Sequence, residues 1–335
     1  MLRVTTARVR KTPQYENLNF ATFTADQILM RMGWVFKTES VIVPAYLDTL
    51  SKSDVLRGLL PVSFRLVQSL AQFFLAQRVS RTPFKQPLYT TSIFGMMASW
   101  LVIAVLAGVA RLPASITVVL FLAVYTLQCF FYGYYRLTGG TLQGKLIPAE
   151  KRGSFVAYGN AIGSILAIAV ACRFMYEWLG GETPRYAAAF GGTAVCYGVA
   201  AIVTFYFVES PSPPQKLQPP LQSLREGLQI LRSDGDFLKF AVVAVLYFLS
   251  WPLFPHYIVF GKRVLGVESS HFVVWIIVTN LVAALGYWLI GGIADRRGNR
   301  LVLRILLFLG ACTPLAAVGI SRLAFGAKLY WIIYA

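Results

Sequence analysis

The chain has 335 residues, 57% of them hydrophobic and only 13% charged, with a mean hydropathy of +0.61 and a formal net charge of +17. A charged share well under the ~25% of soluble domains excludes an ordinary soluble fold. The basic excess falls in short turns between apolar runs, so it reads as a membrane-orientation signal and not as a nucleic-acid surface.

Taken in order, the N-terminal stretch carries Arg3, Arg8, Arg10 and Lys11 but no apolar run leading to a small-residue cleavage site. No cleaved signal peptide is therefore expected. A first span is placed at 27–47, although Asp26, Arg31, Lys37 and Glu39 interrupt this apolar region. On a helix, Asp26, Met30, Gly33 and Lys37 share one stripe. Two readings of that stripe stand side by side. Either it faces a water-filled path, or the helix is shifted, with Asp26 at the cytoplasmic surface and Lys37–Glu39 an internally satisfied pair. Further spans are predicted at 56–77, 88–109, 114–135, 155–175 and 186–208. The fourth ends in Phe130, Phe131, Tyr132, Tyr134 and Tyr135, read chiefly as an interfacial aromatic belt. The fifth holds Gly159 and Gly163 at a spacing that lets helices approach closely.

The stretch 209–236 breaks the pattern with Pro211, Pro213, Pro214, Pro219 and Pro220. Leu221, Leu224, Leu228 and Leu231 then recur at helical spacing, predicting a short amphipathic helix on the membrane surface. This divides the chain into 1–208, a cytoplasmic linker 209–236, and 237–335. Spans follow at 237–259, 272–290 and 301–320, and a last apolar run starts at Leu329. That gives about nine full spans and part of a tenth. Cys129, Cys172, Cys196 and Cys312 all fall in apolar runs without metal-ligand spacing, so they are expected to be small buried hydrophobes, with no disulfide, metal or cofactor.

Between two of these spans lies Gly-Gly-Ile-Ala-Asp-Arg-Arg-Gly-Asn-Arg, residues 291–300. Gly291, Asp295, Arg296, Gly298 and Arg300 resemble the loop signature of the major facilitator superfamily, Gly-x-x-x-Asp-Arg-x-Gly-Arg-Arg, with Asn299 the departure. Pro148 and Arg152-Gly153, entering the fifth span, are similar to another helix connection of that family. The resemblance implies an all-α polytopic membrane protein of two six-helix halves around a cavity that opens alternately to either side. The second half is expected to be incomplete here, with the chain stopping short of the twelve-helix plan and not transporting by itself. The family's antiporter-type Gly-Pro pair is absent from the fifth span, which argues against a drug/proton antiporter. A weak internal repeat supports the plan, since residues 80–85 align with 295–300 in charge and in flanking spans. That first copy lacks the acid and the turn glycine.

With the N-terminus inside, 19 Lys and Arg fall on inner segments and 9 on outer ones, which sets an N-in orientation in the cell membrane. The implied function is a secondary active permease for a small solute, with a proton or another cation as candidate coupling ion. The alternative is a non-transporting polytopic sensor or assembly factor that keeps the fold. Neither an enzyme constellation nor a nucleotide-binding signature is present in the sequence. Helices one, four, seven and ten usually line the family's cavity. That carries the cavity role to Asp26, Arg31, Trp34, Gln128, Tyr132, Tyr247, Trp251 and His256, and a state-stabilising role to Asp295 in the motif loop.

Overall fold

The computed structural model describes residues 13–109, 112–179, 184–213, 220–266, 274–286, 299–323 and 326–334. They form helices α1 (Pro13–Val35), α2 (Ile42–Leu50), α3 (Asp54–Arg81), α4 (Gln86–Gly108), α5 (Ala114–Leu146), α6 (Ala149–Val170), α7 (Tyr176–Leu179) and α8 (Tyr186–Val203), then α9 (Pro220–Ser233), α10 (Gly235–Leu249), α11 (Phe254–Leu265), α12 (Val274–Gly286), α13 (Asn299–Ser321) and α14 (Gly326–Leu329). No strand occurs among the described residues. Among the described residues, seven stretches are long and apolar enough to cross a bilayer: Asp54–Arg81, Gln86–Gly108, Ala114–Leu146, Tyr158–Met175, Tyr186–Tyr206, Gly235–Leu265 and Arg300–Ser321. Large apolar side chains such as Val105, Val119, Ile165 and Val195 lie exposed on these helices. In water that would be costly; against lipid it is the expected arrangement.

The first predicted span is corrected. Instead of one helix over 27–47, α1 starts at Pro13, ends at Val35, and is separated from α2 by a tight turn. The turn is built on Thr38, whose carbonyl accepts from the N–H groups of Val41, Ile42 and Val43. Its hydroxyl accepts from Ile42 as well. Those bonds satisfy backbone groups that a break in a membrane helix would otherwise strand.

The fourth span is also longer than expected. It was drawn to end at Tyr135, but α5 continues to Leu146. The aromatic cluster is thus well inside the helix. Tyr134 is buried, Tyr132 packs 5.0 Å from Phe64, and Tyr135 stacks 5.1 Å from Tyr89. The belt reading fails because those rings have protein partners. Among the cysteines, Cys129 is buried as expected, whereas Cys172 is exposed.

Helices α1, α3, α4, α5, α6 and α8 form one bundle, in which α4 packs on α5 and α8, α3 on α5, and α1 on α6 and α8. Most of the buried apolar core belongs to it, α2 packs its own buried residues Ile42, Val43, Tyr46 and Leu47 into the same core, and α10 adds no buried residue. Local chemistry starts and stops the helices. Ser53 caps α3, accepting from the Leu56 N–H at 3.4 Å, while Asp54 stands in its first turn and Arg78 and Arg81 in its last. Those charges complement the helix dipole at each end. Small residues set the spacing. A Cβ on Gly159 would meet Gln27 at 3.1 Å, and one on Gly163 would meet Arg31 at 3.0 Å, so these two glycines seat α6 on α1. A Cβ on Gly133 would come within 2.4 Å of the Gln68 carbonyl oxygen. That neighbour is backbone and cannot rotate away. Gly133→Ala is expected to pry α5 from α3 and cost about 1–3 kcal/mol, read as a lower apparent Tm. Gly140→Ala, where no atom lies within 4 Å of the added carbon, is the matched control; equal Tm values for the two variants would contradict this packing.

Candidate functional site

The site grows from the polar stripe of α1. Asp26 is fully buried. The Tyr89 hydroxyl donates to its Oδ2 at 2.5 Å and the Tyr135 hydroxyl reaches the same oxygen at 3.5 Å, while Oδ1 has no partner. No cation pairs with it among the described residues. The stripe therefore faces protein, and Asp26 is not at the cytoplasmic surface.

Over the next two turns, α1 contributes Gln27, Met30, Arg31 and Trp34 to a cavity of about 130 Å³. Tyr132, Tyr135 and Arg136 of α5, Asn160 of α6 and Tyr197 of α8 complete its walls. A second cavity of about 160 Å³ shares Gln27, Tyr135 and Arg136 and continues past Tyr89 and Gly139 to Gln143. Arg136, exposed, stands where the two meet. Gln128, four residues before Tyr132 on the same face of α5, is fully buried with neither amide atom bonded.

Lys37 lies at the break after α1 with 0% exposure. Its ammonium sits 3.6 Å from the centre of the Trp34 ring, with Trp100, Phe64 and Tyr132 at 5.5, 5.7 and 5.9 Å. It also donates to Glu39 at 2.8 Å. One part of the sequence reading holds here: the Lys37–Glu39 pair is internal and satisfied. It is also enclosed by aromatic faces, which the sequence reading did not foresee, and there a desolvated cation gains about 2 kcal/mol.

A model of the Major Facilitator Superfamily matches residues 29–335. The chain belongs to that superfamily. Its fold resembles the crystal structure of a D-xylose–proton symporter, with a TM-score of 0.61 over 94% of this chain and 79% of that one, at 15% sequence identity. No curated protein matches.

Within this facilitator, the sequence-derived residues are distributed as follows. Arg31, Trp34 and Tyr132 come together in the cavity, with Asp26 behind its tyrosine wall and Gln128 one turn away along α5. Tyr247 of α10 and His256 of α11 do not line it. His256 instead lies beside α3, its Nε2 3.5 Å from where a Gly58 Cβ would be. There Arg57 donates to Asp48 and Asp54, and Arg263 of α11 approaches the same two acids at 3.5 and 3.9 Å. The Trp251 side chain falls outside the described residues. So do Gly291, Asp295, Arg296 and Gly298 of the motif loop, while Arg300 opens α13 and is exposed.

The first copy of that loop is described, and it solves its missing acid in another way. Lys85 fills the end of α3, donating from its ammonium to the carbonyls of Val79, Ser80 and Thr82. Glu209, which follows the last helix of the bundle in sequence, accepts from the backbone N–H groups of Lys85 and Gln86 at 2.8 Å and from the Lys145 ammonium at 2.7 Å. A carboxylate thus caps the start of α4 and a cation the end of α3, each matching the local dipole. Burial, with Lys145 nearby, lowers the Lys85 ammonium's pKa from its ordinary value, and Glu209 opposes this. Glu209→Ala is expected to remove about 1–3 kcal/mol of local stability. Trypsin cleavage after Arg81 should accelerate while distant sites keep their rates; unchanged cleavage at Arg81 would contradict the clasp.

Sequence reasoning missed Tyr89, Tyr135, Arg136, Tyr197 and Glu209 as site or clasp residues. Only Tyr135 and Arg136 carried a usable signal, since Gln128, Tyr132 and Tyr135 follow helical spacing into the same face.

Proposed function

We propose that this protein is a secondary active transporter that carries a small solute through the bundle by alternating access, with Asp26 as the proton-carrying group. The observation that carries the reading is the buried carboxylate of Asp26, held by the hydroxyls of Tyr89 and Tyr135, two residues in the cavity walls beside α1 and α5. An ionisable group at that depth is expensive and marks a pathway or relay by default. Protonation removes the charge, and release restores it toward whichever side the cavity opens. A ligand with different affinity for the two states then shifts their balance. The similarity in fold to a D-xylose–proton symporter supports proton coupling without identifying the solute.

The reading places 1–208 and 237–335 as two halves joined by the linker 209–236, N-terminus in the cytoplasm of the cell membrane. The Arg57–Asp48–Asp54–Arg263 cluster then lies at the outer end and ties α2 and α3 to α11. The Glu209 clasp lies at the inner end. The test is uptake by the full-length protein in lipid vesicles with an imposed pH gradient. Accumulation that follows the gradient supports the reading, and solute movement indifferent to the gradient refutes the coupling.

A further inference from the structure

Asp26 lines neither of the two cavities beside α1 and α5; two phenols stand between its carboxylate and the open space. The phenols are not equivalent. Tyr89 of α4 donates to Oδ2 at 2.5 Å, and of the two cavities it lines only the one that runs past Gly139 to Gln143. Tyr135 of α5 reaches the same oxygen at 3.5 Å, the limit of a hydrogen bond, and lines both cavities. Beyond them the charged groups are Arg136, where the cavities meet, and Arg31 on the side of Trp34 and Tyr132.

The position of Tyr89 is built into the packing. A Cβ on Gly139 would meet the Tyr89 ring at 2.8 Å, so the ring occupies room that only glycine leaves. Tyr135 stacks on it at 5.1 Å, and Phe23 and Phe207 each stand 6.1 Å away. A phenol is donor and acceptor at one atom, so it can pass a proton on without keeping it. Gln27, Arg136 and Gln143 give the cavity past Tyr89 the polar partners that water needs.

We infer that the Asp26 proton enters and leaves through the Tyr89 hydroxyl and the cavity beyond it, by a door separate from the cavity of Trp34 and Tyr132. The inference rests on the reading of Asp26 as the proton carrier and adds the route. On loading, the Tyr89 O–H bond breaks as its proton moves to Oδ2 of Asp26. A new O–H bond forms at the phenol oxygen with a proton from a hydronium ion in the cavity, which is left as water. Release runs the same steps backward. Nothing is oxidised or reduced, and one proton is moved. A solute held against Trp34 and Tyr132 then has no need to leave before the proton does.

Rapid-mixing infrared spectroscopy of the full-length protein in detergent tests the route, because a pH jump reads the carboxyl stretch of Asp26 without any solute. Asp26→Asn identifies the signal by removing it. Tyr89→Phe keeps the ring and its packing but takes away the hydroxyl, and should slow the protonation change about tenfold or more. Tyr135→Phe takes a hydroxyl from the same oxygen and should leave the rate close to that of the parent. Gly139→Ala is the second variant: it keeps the phenol but crowds its ring, and should slow the change as well. Unchanged rates in both Tyr89→Phe and Gly139→Ala overturn the route, and so does a slowing in Tyr135→Phe equal to that in Tyr89→Phe. An Asp26 that does not change protonation across the jump refutes the proton-carrier reading itself, a result distinct from a change that simply ignores Tyr89.

Discussion

Asp26→Asn is expected to abolish pH-driven accumulation of solute while leaving the protein folded and its solute site occupied. Asparagine keeps the shape of the side chain and its capacity to accept from Tyr89 and Tyr135, whose hydroxyls both reach Oδ2. What it cannot do is gain and lose a proton. Because Asp26 is fully buried with no cationic partner among the described residues, the variant also removes a charge that costs several kcal/mol to bury. Its apparent Tm should therefore equal or exceed that of the parent. Concentrative uptake should fall by about tenfold or more, since removing an essential proton carrier leaves only equilibration. Counterflow, in which labelled solute exchanges for unlabelled solute without net proton movement, should persist. Loss of counterflow together with a lowered Tm would instead assign Asp26 a packing role.

The second large effect concerns Lys37. Glu39→Gln leaves a fully buried ammonium with aromatic faces but no anion. Breaking a buried pair by removing one partner costs about 3–5 kcal/mol, while the rings supply only about 2 kcal/mol. The rings cannot compensate, and the variant should unfold at a clearly lower temperature. Lys37→Met/Glu39→Gln removes the stranded charge and fills the box with an apolar chain that suits aromatic neighbours. It should recover most of the loss. If the double variant is as unstable as Glu39→Gln alone, the pair is not what holds the break after α1 together.

Much of the helix plan was legible because apolar runs of bilayer length are hard to disguise. The span predicted at 88–109 is α4, and the one at 186–208 overlaps Tyr186–Tyr206 closely. The glycines of α6 were also readable, since their spacing is a local signal and they do seat α6 on α1. The first span was not readable in the same way. Its polar residues are satisfied by partners far away in sequence, Tyr89 and Tyr135 for Asp26, and hydropathy cannot see such partners. The belt reading of the α5 aromatics failed for a related reason. Ring clusters near the expected end of a span look interfacial unless the helix is known to run on, and α5 runs on to Leu146. That extension also moved Arg136 from an inner loop into the cavity wall. Glu209 was hidden by the prolines that follow it; its role depends on a loop 124 residues earlier in the chain. Of the site residues named from helix positions one and four, Arg31, Trp34 and Tyr132 share the cavity and Asp26 and Gln128 lie beside it, whereas Tyr247 and His256 did not join them.

The central claim is that solute and proton cross together. The most direct measurement is made with the full-length protein in vesicles loaded with a pH-sensitive dye, as labelled succinate or xylose is added outside at equal pH. The account predicts acidification inside that rises and saturates with uptake of whichever solute is carried, and that disappears in Asp26→Asn. Uptake without any change of internal pH would contradict it, as would acidification that Asp26→Asn leaves intact.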